Sequence, residues 1–352
     1  MKKASFSMNG KETRYEPGQM VLDAAQANGI HIPTLCHLKG TSPTGACRIC
    51  LVEIAGARSL MAACSTPVTE GMEVSTESER VHKARKMNVE LLLASGKHDC
   101  LICEASGDCR LQDLAYHYGI KELRFPQDEK FYPTEDENPF IIRDFSRCIR
   151  CGRCIHACNE VVVNRAISYG YRGKNSKVVT GGDGPYTDSE CVFCGQCVEV
   201  CPVGALTEKK AKGKARAWET NKIRTTCPYC GVGCQQWLHV KDGKITKVTA
   251  VEDGEPNMGR LCVKGRFGYD FIYSEDRLKT PLIRENGDFR EASWDEALDL
   301  VAGKFKEIIA KHGADAIAGV SCARSINEDS YQMQKLFRAV IGTNNIDHCA
   351  RT

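Results

Sequence analysis

The sequence predicts an α+β chain built from several small domains in series, and three observations predict it. The chain has 352 residues, enough for two to four domains. Its 21 cysteines stand out against 3 tryptophans and 7% aromatic residues, and most of them fall in short-spaced groups strung along residues 36–262. Short strand and helix patterns alternate over the first three-quarters of the chain, then yield to longer helix–strand–helix sequence. Charge is almost balanced, with 48 Lys+Arg against 45 Asp+Glu, so nothing points to nucleic acid or an anionic membrane as partner. No apolar run is long enough to span a bilayer. Residues 1–7 lead straight into strand-like sequence, without an apolar signal region or twin arginine. A cytoplasmic chain is expected, with its thiols committed to metal rather than to disulfides.

Residues 1–78 read as one small α+β module. Strands are expected at 3–8 and 12–16 around the hairpin signal Asn9-Gly10, then a helix over 20–28 stopped by Gly29. Cys36, Cys47, Cys50 and Cys64 follow, with a strand over 49–54 carrying the middle pair. Residues 79–95 predict a helix with Val81, Ala84, Leu91 and Leu92 on one face. After it come His98, Cys100, Cys103 and Cys109, then Leu111-Gln112-Asp113-Leu114. Residues 124–147, rich in proline and acid, read as a wrapping linker.

Residues 148–201 carry the densest pattern. Cys148-x2-Cys151-x2-Cys154-x3-Cys158 is followed by Cys191-x2-Cys194-x2-Cys197-x3-Cys201-Pro202. This is the two-cluster bacterial ferredoxin pattern, in which three cysteines of a run hold one [4Fe–4S] cluster and the fourth ligates the other. Cys148, Cys151, Cys154 and Cys201 are therefore expected on one cube, and Cys191, Cys194, Cys197 and Cys158 on its neighbour. Zinc is the competing reading of Cys-x2-Cys pairs, but it needs four thiolates per ion and has no use for two interlocked runs. Residues 208–222, with Lys209, Lys210, Lys212, Lys214 and Arg216, read as a solvated basic linker.

Beyond it Cys227, Cys230, Cys234 and Cys262 flank a hairpin expected at 235–240 and 244–248 around Asp242-Gly243. Ser293-Trp294-Asp295-Glu296 reads as a capping box opening a helix to His312, with Leu298, Val301, Phe305, Ile308 and Ile309 as its core stripe. A buried strand over 316–320 and a helix over 328–341 complete the start of an α/β domain. Cys322, just past that strand, reads as a small core residue. It and Cys349 are the two cysteines outside every group.

The N-terminal cysteine groups resemble the iron–sulfur module of the respiratory NADH dehydrogenase large subunit, shared by iron-only hydrogenases and NAD-linked formate dehydrogenases. Residues from 227 on resemble the molybdenum or tungsten bis-pterin oxidoreductases. The stretches 261–268, 278–284 and 345–351 resemble formate dehydrogenases in particular. The resemblance implies a β-grasp [2Fe–2S] ferredoxin domain over 1–78 and a small helical His/Cys-ligated [4Fe–4S] domain over 79–122. It further implies a two-cluster ferredoxin-like domain over 138–210, a [4Fe–4S] bis-pterin-type domain over 220–276, and an incomplete molybdopterin oxidoreductase α/β domain over 277–352.

The implied cofactors are one [2Fe–2S] on Cys36, Cys47, Cys50 and Cys64, and four [4Fe–4S]. Two of these are the twin cubes, one is on His98, Cys100, Cys103 and Cys109, and one is on Cys227, Cys230, Cys234 and Cys262. The family usually places the histidine four residues before the first cysteine, where this chain has Gly96. A surface His98, with a fourth ligand from elsewhere or none, is the alternative. Lys264 matches the lysine between cube and pterin, and a molybdenum or tungsten bis-pterin guanine dinucleotide is implied for the whole protein. The implied reaction interconverts formate and CO2. The implied partners are flavin- and NAD(P)-binding, ferredoxin-linked or hydrogenase-linked subunits, because no Gly-x-Gly-x-x-Gly fingerprint is present. A non-catalytic electron-transfer subunit is the alternative. In the family a segment like 345–351 runs into the selenocysteine or cysteine that ligates the metal. The expectation is therefore a UGA codon after Thr352 read as stop, leaving this stretch without a catalytic residue of its own.

Overall fold

The computed structural model describes residues 5–127 and 132–349. Parts of three expectations lie outside these residues: the start of the first strand, the middle of the acidic linker, and the segment 350–352. The chain divides into two compact units, Met1–Asn221 with Val240–Lys247, and Lys222–His239 with Val248–Thr352.

In the first unit, β1 (Ser5–Met8) and β2 (Lys11–Arg14) pair antiparallel from Ser5↔Arg14 to Met8↔Lys11. Asn9 and Gly10 turn between them at φ 54° and 77°, the two left-handed positions that a tight hairpin needs. α1 (Val21–Ala27), β3 (Leu51–Ile54), β4 (Met61–Ala62) and β5 (Glu73–Ser75) complete the module. The sheet order is β2-β1-β5-β3-β4, with β5 parallel to β1. α1 buries Val21, Leu22, Ala24 and Ala25 against Phe6, Met8, Val52 and Val74, the layered arrangement expected of a β-grasp domain. β3 starts two residues later than expected, because Cys47 and Cys50 occupy the loop before it.

α2 (Glu79–Ala94) is capped by Ser78, whose Oγ accepts from Val81 N at 3.3 Å. Its buried face differs from the apolar stripe expected. Val81, Arg85, Val89, Glu90 and Ala94 are buried, and Leu91 is exposed. Arg85 donates from Nε (3.1 Å) and Nη2 (2.7 Å) to the Leu51 carbonyl, fastening α2 to β3. α3 (Arg110–His117) packs Leu111 into the core below α2.

The doubled cysteine run folds as a repeat. Arg150 and Gly152 have φ of 55° and 78°, and the equivalent Phe193 and Gly195 have 50° and 73°. Each loop then enters a short helix, α4 (Arg153–His156) or α5 (Gln196–Val200). β6 (Ile141–Arg143), β7 (Ser168–Gly170), β8 (Lys177–Val179) and β9 (Leu206–Glu208) form two small ladders, β6 with β9 and β7 with β8.

The basic segment after β9 is solvated only in part, at Lys212 and Lys214, which are exposed. Lys209 Nζ donates to the carbonyls of Asp136 and Asn138. Arg216 donates to Cys103 O at 2.6 Å and Leu101 O at 3.0 Å. Trp218 lies against Gly107, where an added Cβ would fall 2.7 Å from the indole. Lys209 and Arg216 thus satisfy backbone carbonyls of other loops, which charge counting along the sequence does not see.

The next sheet has the order β10 (Asn221–Thr226), β11 (Gln235–Lys241), β12 (Lys244–Ala250). β11 and β12 turn at Asp242 (φ 50°) and Gly243 (φ 73°), as the sequence predicts. In the second unit α6 (Val263–Phe267) follows Cys262, and β13 (Leu282–Glu285) pairs with β14 (Asp288–Glu291). α7 (Trp294–His312) begins at Ser293, whose Oγ accepts from Glu296 N at 3.1 Å. Only this half of the expected capping box forms, since the Glu296 carboxylate is engaged by Arg290.

Phe305, Ile308 and Ile309 of α7 pack on Ile317, Phe337 and Ile341, whereas Leu298 and Val301 are exposed. β15 (Gly319–Ser321) is shorter than expected, residues 314–316 forming a tight turn, and Val320 is 82% exposed. α8 (Asn327–Lys335) continues into a wider turn over Leu336–Ile341 before Gly342 (φ 85°), and β16 (Ile346–His348) lies parallel to β15. Cys322 is exposed, against the expectation of a core residue. Among the described residues no helix is long and apolar enough to cross a membrane.

Candidate metal centres

Each expected cysteine group is gathered in space. Cys36, Cys47, Cys50 and Cys64 are all buried, Cys50 and Cys64 within the core of the N-terminal sheet domain. Cys47 N donates to Cys36 Sγ at 3.5 Å. The thiols form two hydrogen-bonded pairs. Cys47 donates to Cys36 and holds its thiol pKa below the ordinary range, and Cys50 does the same to Cys64. Cys47 and Cys50 are correspondingly raised, first by these same bonds. Gly45, in the turn expected to wrap the ligands, has φ 60° and would place a Cβ 3.5 Å from Ser65 Oγ.

The second group lines one small cavity: His98, Cys100, Cys103 and Cys109, with Ser106, Gln112, Arg147, Val203 and Gly204. The His98 ring is placed by Nε2, which donates to Leu92 O at 3.2 Å, with the tautomer assigned from that bond. Burial, opposed in part by this bond, keeps the imidazole pKa below its ordinary value and the ring neutral, as a ligand must be. The structure also accounts for glycine at 96. A Cβ there would fall 2.5 Å from Ser146 O, and 3.5 Å from His98 Nε2. Backbone packing leaves no room for a side chain at 96, and the imidazole of residue 98 turns back over that position.

The last cysteine of each twin run lies near thiols of the other run. Cys201 stands close enough to Cys148, Cys151 and Cys154 to act on their charge, and Cys158 does the same to Cys191 and Cys197. Backbone N–H groups of Arg150 and Phe193 point at Cys148 Sγ and Cys191 Sγ, both at 3.4 Å, another mark of the repeat. In the second unit Cys227, Cys230, Cys234 and Cys262 likewise interact, and Cys227 N donates to Cys234 O at 2.8 Å. Gly265 comes within 3.4 Å of Cys227 Sγ at its would-be Cβ. Cys262 is exposed, and so is Lys264, whose Nζ lies 6.0 Å from the Tyr229 ring centroid.

Among the described residues no three His, Cys, Asp or Glu side chains converge on a point as ligands of one metal ion. Burial pushes Cys148 and Cys109 up to about 11 and Cys197 up to about 12, and the charge of neighbouring thiols adds to it. Without a cation such thiols stay protonated. A coordinated metal inverts this and deprotonates them outright, so buried groups of four thiols fit cationic iron at their centres.

Sequence reasoning missed a set of arginines beside the cysteines. Arg147 lines the His98 cavity and is ion-paired with Asp144 at 2.8 Å. Arg153, next to Cys154, donates to Val200 O (2.6 Å) and His37 O (2.5 Å), tying the Cys36 loop to the doubled run. Their positions one residue from a ligand are the signal that was available. Their partners, 47 and 116 residues away in sequence for Arg153, could not be read.

Five stretches match known families: a 2Fe-2S iron-sulfur cluster binding domain (residues 2–79), the NADH-ubiquinone oxidoreductase-G iron-sulfur binding region (85–124), a 4Fe-4S dicluster domain (147–205), the molybdopterin oxidoreductase Fe4S4 domain (220–274) and molybdopterin oxidoreductase (277–352). The NADPH-Fe(3+) oxidoreductase subunit alpha of Geobacter sulfurreducens is 40% identical over 99% of this chain and 40% of its own length. A provisionally named formate dehydrogenase of Staphylococcus aureus is 34% identical over 98% of this chain and 39% of its own. The chain thus spans about two-fifths of the length of the curated relatives it matches. A chain of the NAD+-reducing [NiFe]-hydrogenase in its H2-reduced state superposes with a TM-score of 0.57 at 34% identity, over 60% of this chain and 90% of that one.

Proposed function

We infer, from a chain that is the iron–sulfur electron-transfer part of a molybdopterin oxidoreductase and is related to the NADH-quinone oxidoreductases, that it serves as the electron relay of a formate dehydrogenase large subunit. The observation that carries the relay is the gathering of nineteen of the 21 cysteines into five groups, with Cys158 and Cys201 each lying near thiols of the other run. The formate reading is supported by the stretches 261–268 and 345–351 and by the 34% identical relative of that name.

When bound, one [2Fe–2S] and four [4Fe–4S] clusters supply one-electron steps, and a molybdenum or tungsten bis-pterin supplies the two-electron exchange with formate and CO2. The chain's own residues hold and insulate these groups. His98 would hold the second centre through Nδ1, since its Nε2–H is committed to Leu92 O. Lys264 sets a cation beside the Cys227 loop, where it favours reduced states nearby. Partners that carry flavin and NAD(P), or a ferredoxin- or hydrogenase-linked module, exchange electrons with the N-terminal centres.

A second reading is an electron-transfer subunit that does no formate chemistry. It is favoured by the 40% identity to an NADPH-Fe(3+) oxidoreductase subunit and by the match of residues 85–124 to the NADH-ubiquinone oxidoreductase-G region.

The test is anaerobic stopped-flow of the protein purified with its native partners. Formate should bleach the cluster absorbance within a turnover. Bleaching by a nicotinamide alone, with formate inert, would establish the second reading instead. Iron analysis should give about 18 iron per chain, and a shortfall of about four would remove the His98 centre first.

A further inference from the structure

The two cysteines left outside the five groups meet each other. Cys322 follows β15 and Cys349 follows β16, strands that run parallel with Gly319↔Ile346, Val320↔Asp347 and Ser321↔His348 in register. One step further along this ladder pairs Cys322 with Cys349, and their Sγ atoms are 3.6 Å apart. Neighbouring strands lie about 4.8 Å apart, within the Cα separation of roughly 4.4–6.8 Å that a disulfide accepts. Both thiols are exposed. Arg324 N points at Cys322 Sγ at 3.4 Å. The backbone of Ala323 and the Cys322 thiol hold Cys349 below the ordinary thiol range, which favours the thiolate that attacks in exchange.

We propose that Cys322 and Cys349 form a redox-modifiable dithiol that closes to a disulfide by exchange with a low-molecular-weight disulfide. The Cys349 thiolate attacks one sulfur of that disulfide, breaks its S–S bond and releases one thiolate, leaving a mixed disulfide on Cys349. The Cys322 thiolate then attacks Cys349 Sγ, releases the second small thiolate and completes the protein bond. The two protons of the protein thiols pass to the two released thiolates. The protein dithiol is oxidised by two electrons and the small disulfide is reduced by the same two. Closure ties together the carboxyl ends of two adjacent parallel strands, the edge at which open α/β sheets receive ligands. The inference is independent of the formate reading, because it rests on these two strands alone.

The experiment uses the full chain with its iron–sulfur clusters loaded, so that cluster cysteines are masked. It is equilibrated anaerobically with oxidised glutathione and then alkylated and digested. The expected result is loss of two alkylatable thiols, a mass lower by two hydrogens, and a single linked peptide pair containing residues 322 and 349, all restored by dithiothreitol. Cys322→Ser should stop the reaction at one glutathione adduct on Cys349, with the cluster absorbance of the parent. Two free thiols after equilibration, or separate adducts on both cysteines without ring closure, would overturn the proposal.

Discussion

The sheet domain at residues 5–75 and the doubled cysteine run at 141–208 hold the same kind of ligand in two different ways. The sheet domain has an apolar core of its own, built mostly from Phe6, Met8, Val21, Leu22, Val52, Val68 and Val74; Cys50 and Cys64 join it, while Cys36 and Cys47 pack into the neighbouring cluster. The doubled run has only three-residue strands, and its thiols are part of what fills it. Cys151 packs with Ile149, Val203 and Ala205, and with Cys36, Leu35 and Leu111 from the neighbouring modules. Where apolar burial drives folding, a cluster is an addition to a formed structure. Where strands are too short and apolar burial too small to drive folding alone, metal binding and folding are the same event.

Removing iron should separate the two regions most strongly. After chelation under reducing conditions, backbone amides of 141–208 should exchange at nearly unprotected rates, while β1, β3 and β5 keep protection. Hydrogen exchange read by mass spectrometry checks this, and equal loss in both regions would make the sheet domain metal-dependent too. A single ligand should repeat the contrast on a smaller scale. Cys154→Ser should lose about four iron and lower the first thermal transition, whereas Cys64→Ser should lose about two iron and leave that transition in place. Iron analysis beside calorimetry separates the outcomes.

Gly204→Ala probes the His98 cavity from the doubled run. A Cβ at 204 would fall 2.4 Å from Cys103 Sγ, so the ligand must shift. The His98 signal in low-temperature EPR should vanish or move, as in His98→Ala, with the signals of the other centres retained. An unchanged spectrum in both variants would place that centre's ligands elsewhere. The smallest effect concerns the joint between α2 and the sheet. Arg85→Met leaves the Leu51 carbonyl without its two donors and should cost about 1–3 kcal/mol, read in denaturant unfolding of the cluster-loaded protein. All centres should stay at full iron content, since Arg85 bonds the carbonyl of Leu51, after the last ligand of the Cys47–Cys50 pair.

The sequence by itself determined what is local. Cys-x2-Cys-x2-Cys wraps one loop, Asn9-Gly10 and Asp242-Gly243 turn two hairpins, and Ser78 and Ser293 start two helices; each needs only neighbouring residues. The doubled spacing also anticipates that Cys201 lies near the first run's thiols and Cys158 near the second's. The tertiary structure decided what depends on distant backbone. The Ser146 carbonyl, about 50 residues from Gly96, excludes a side chain at 96 and makes room for the His98 ring. Leu51 O draws a charged Arg85 into the core, and Cys103 O and Leu101 O hold Arg216 in a segment whose charge alone reads as solvated. Cys322 follows a strand that reads as buried, yet it meets Cys349 at the surface because β15 and β16 run parallel. A buried carbonyl that lacks a partner, or a ladder that sets two side chains side by side, acts through space between residues far apart in the chain, and periodicity and composition carry no record of that distance.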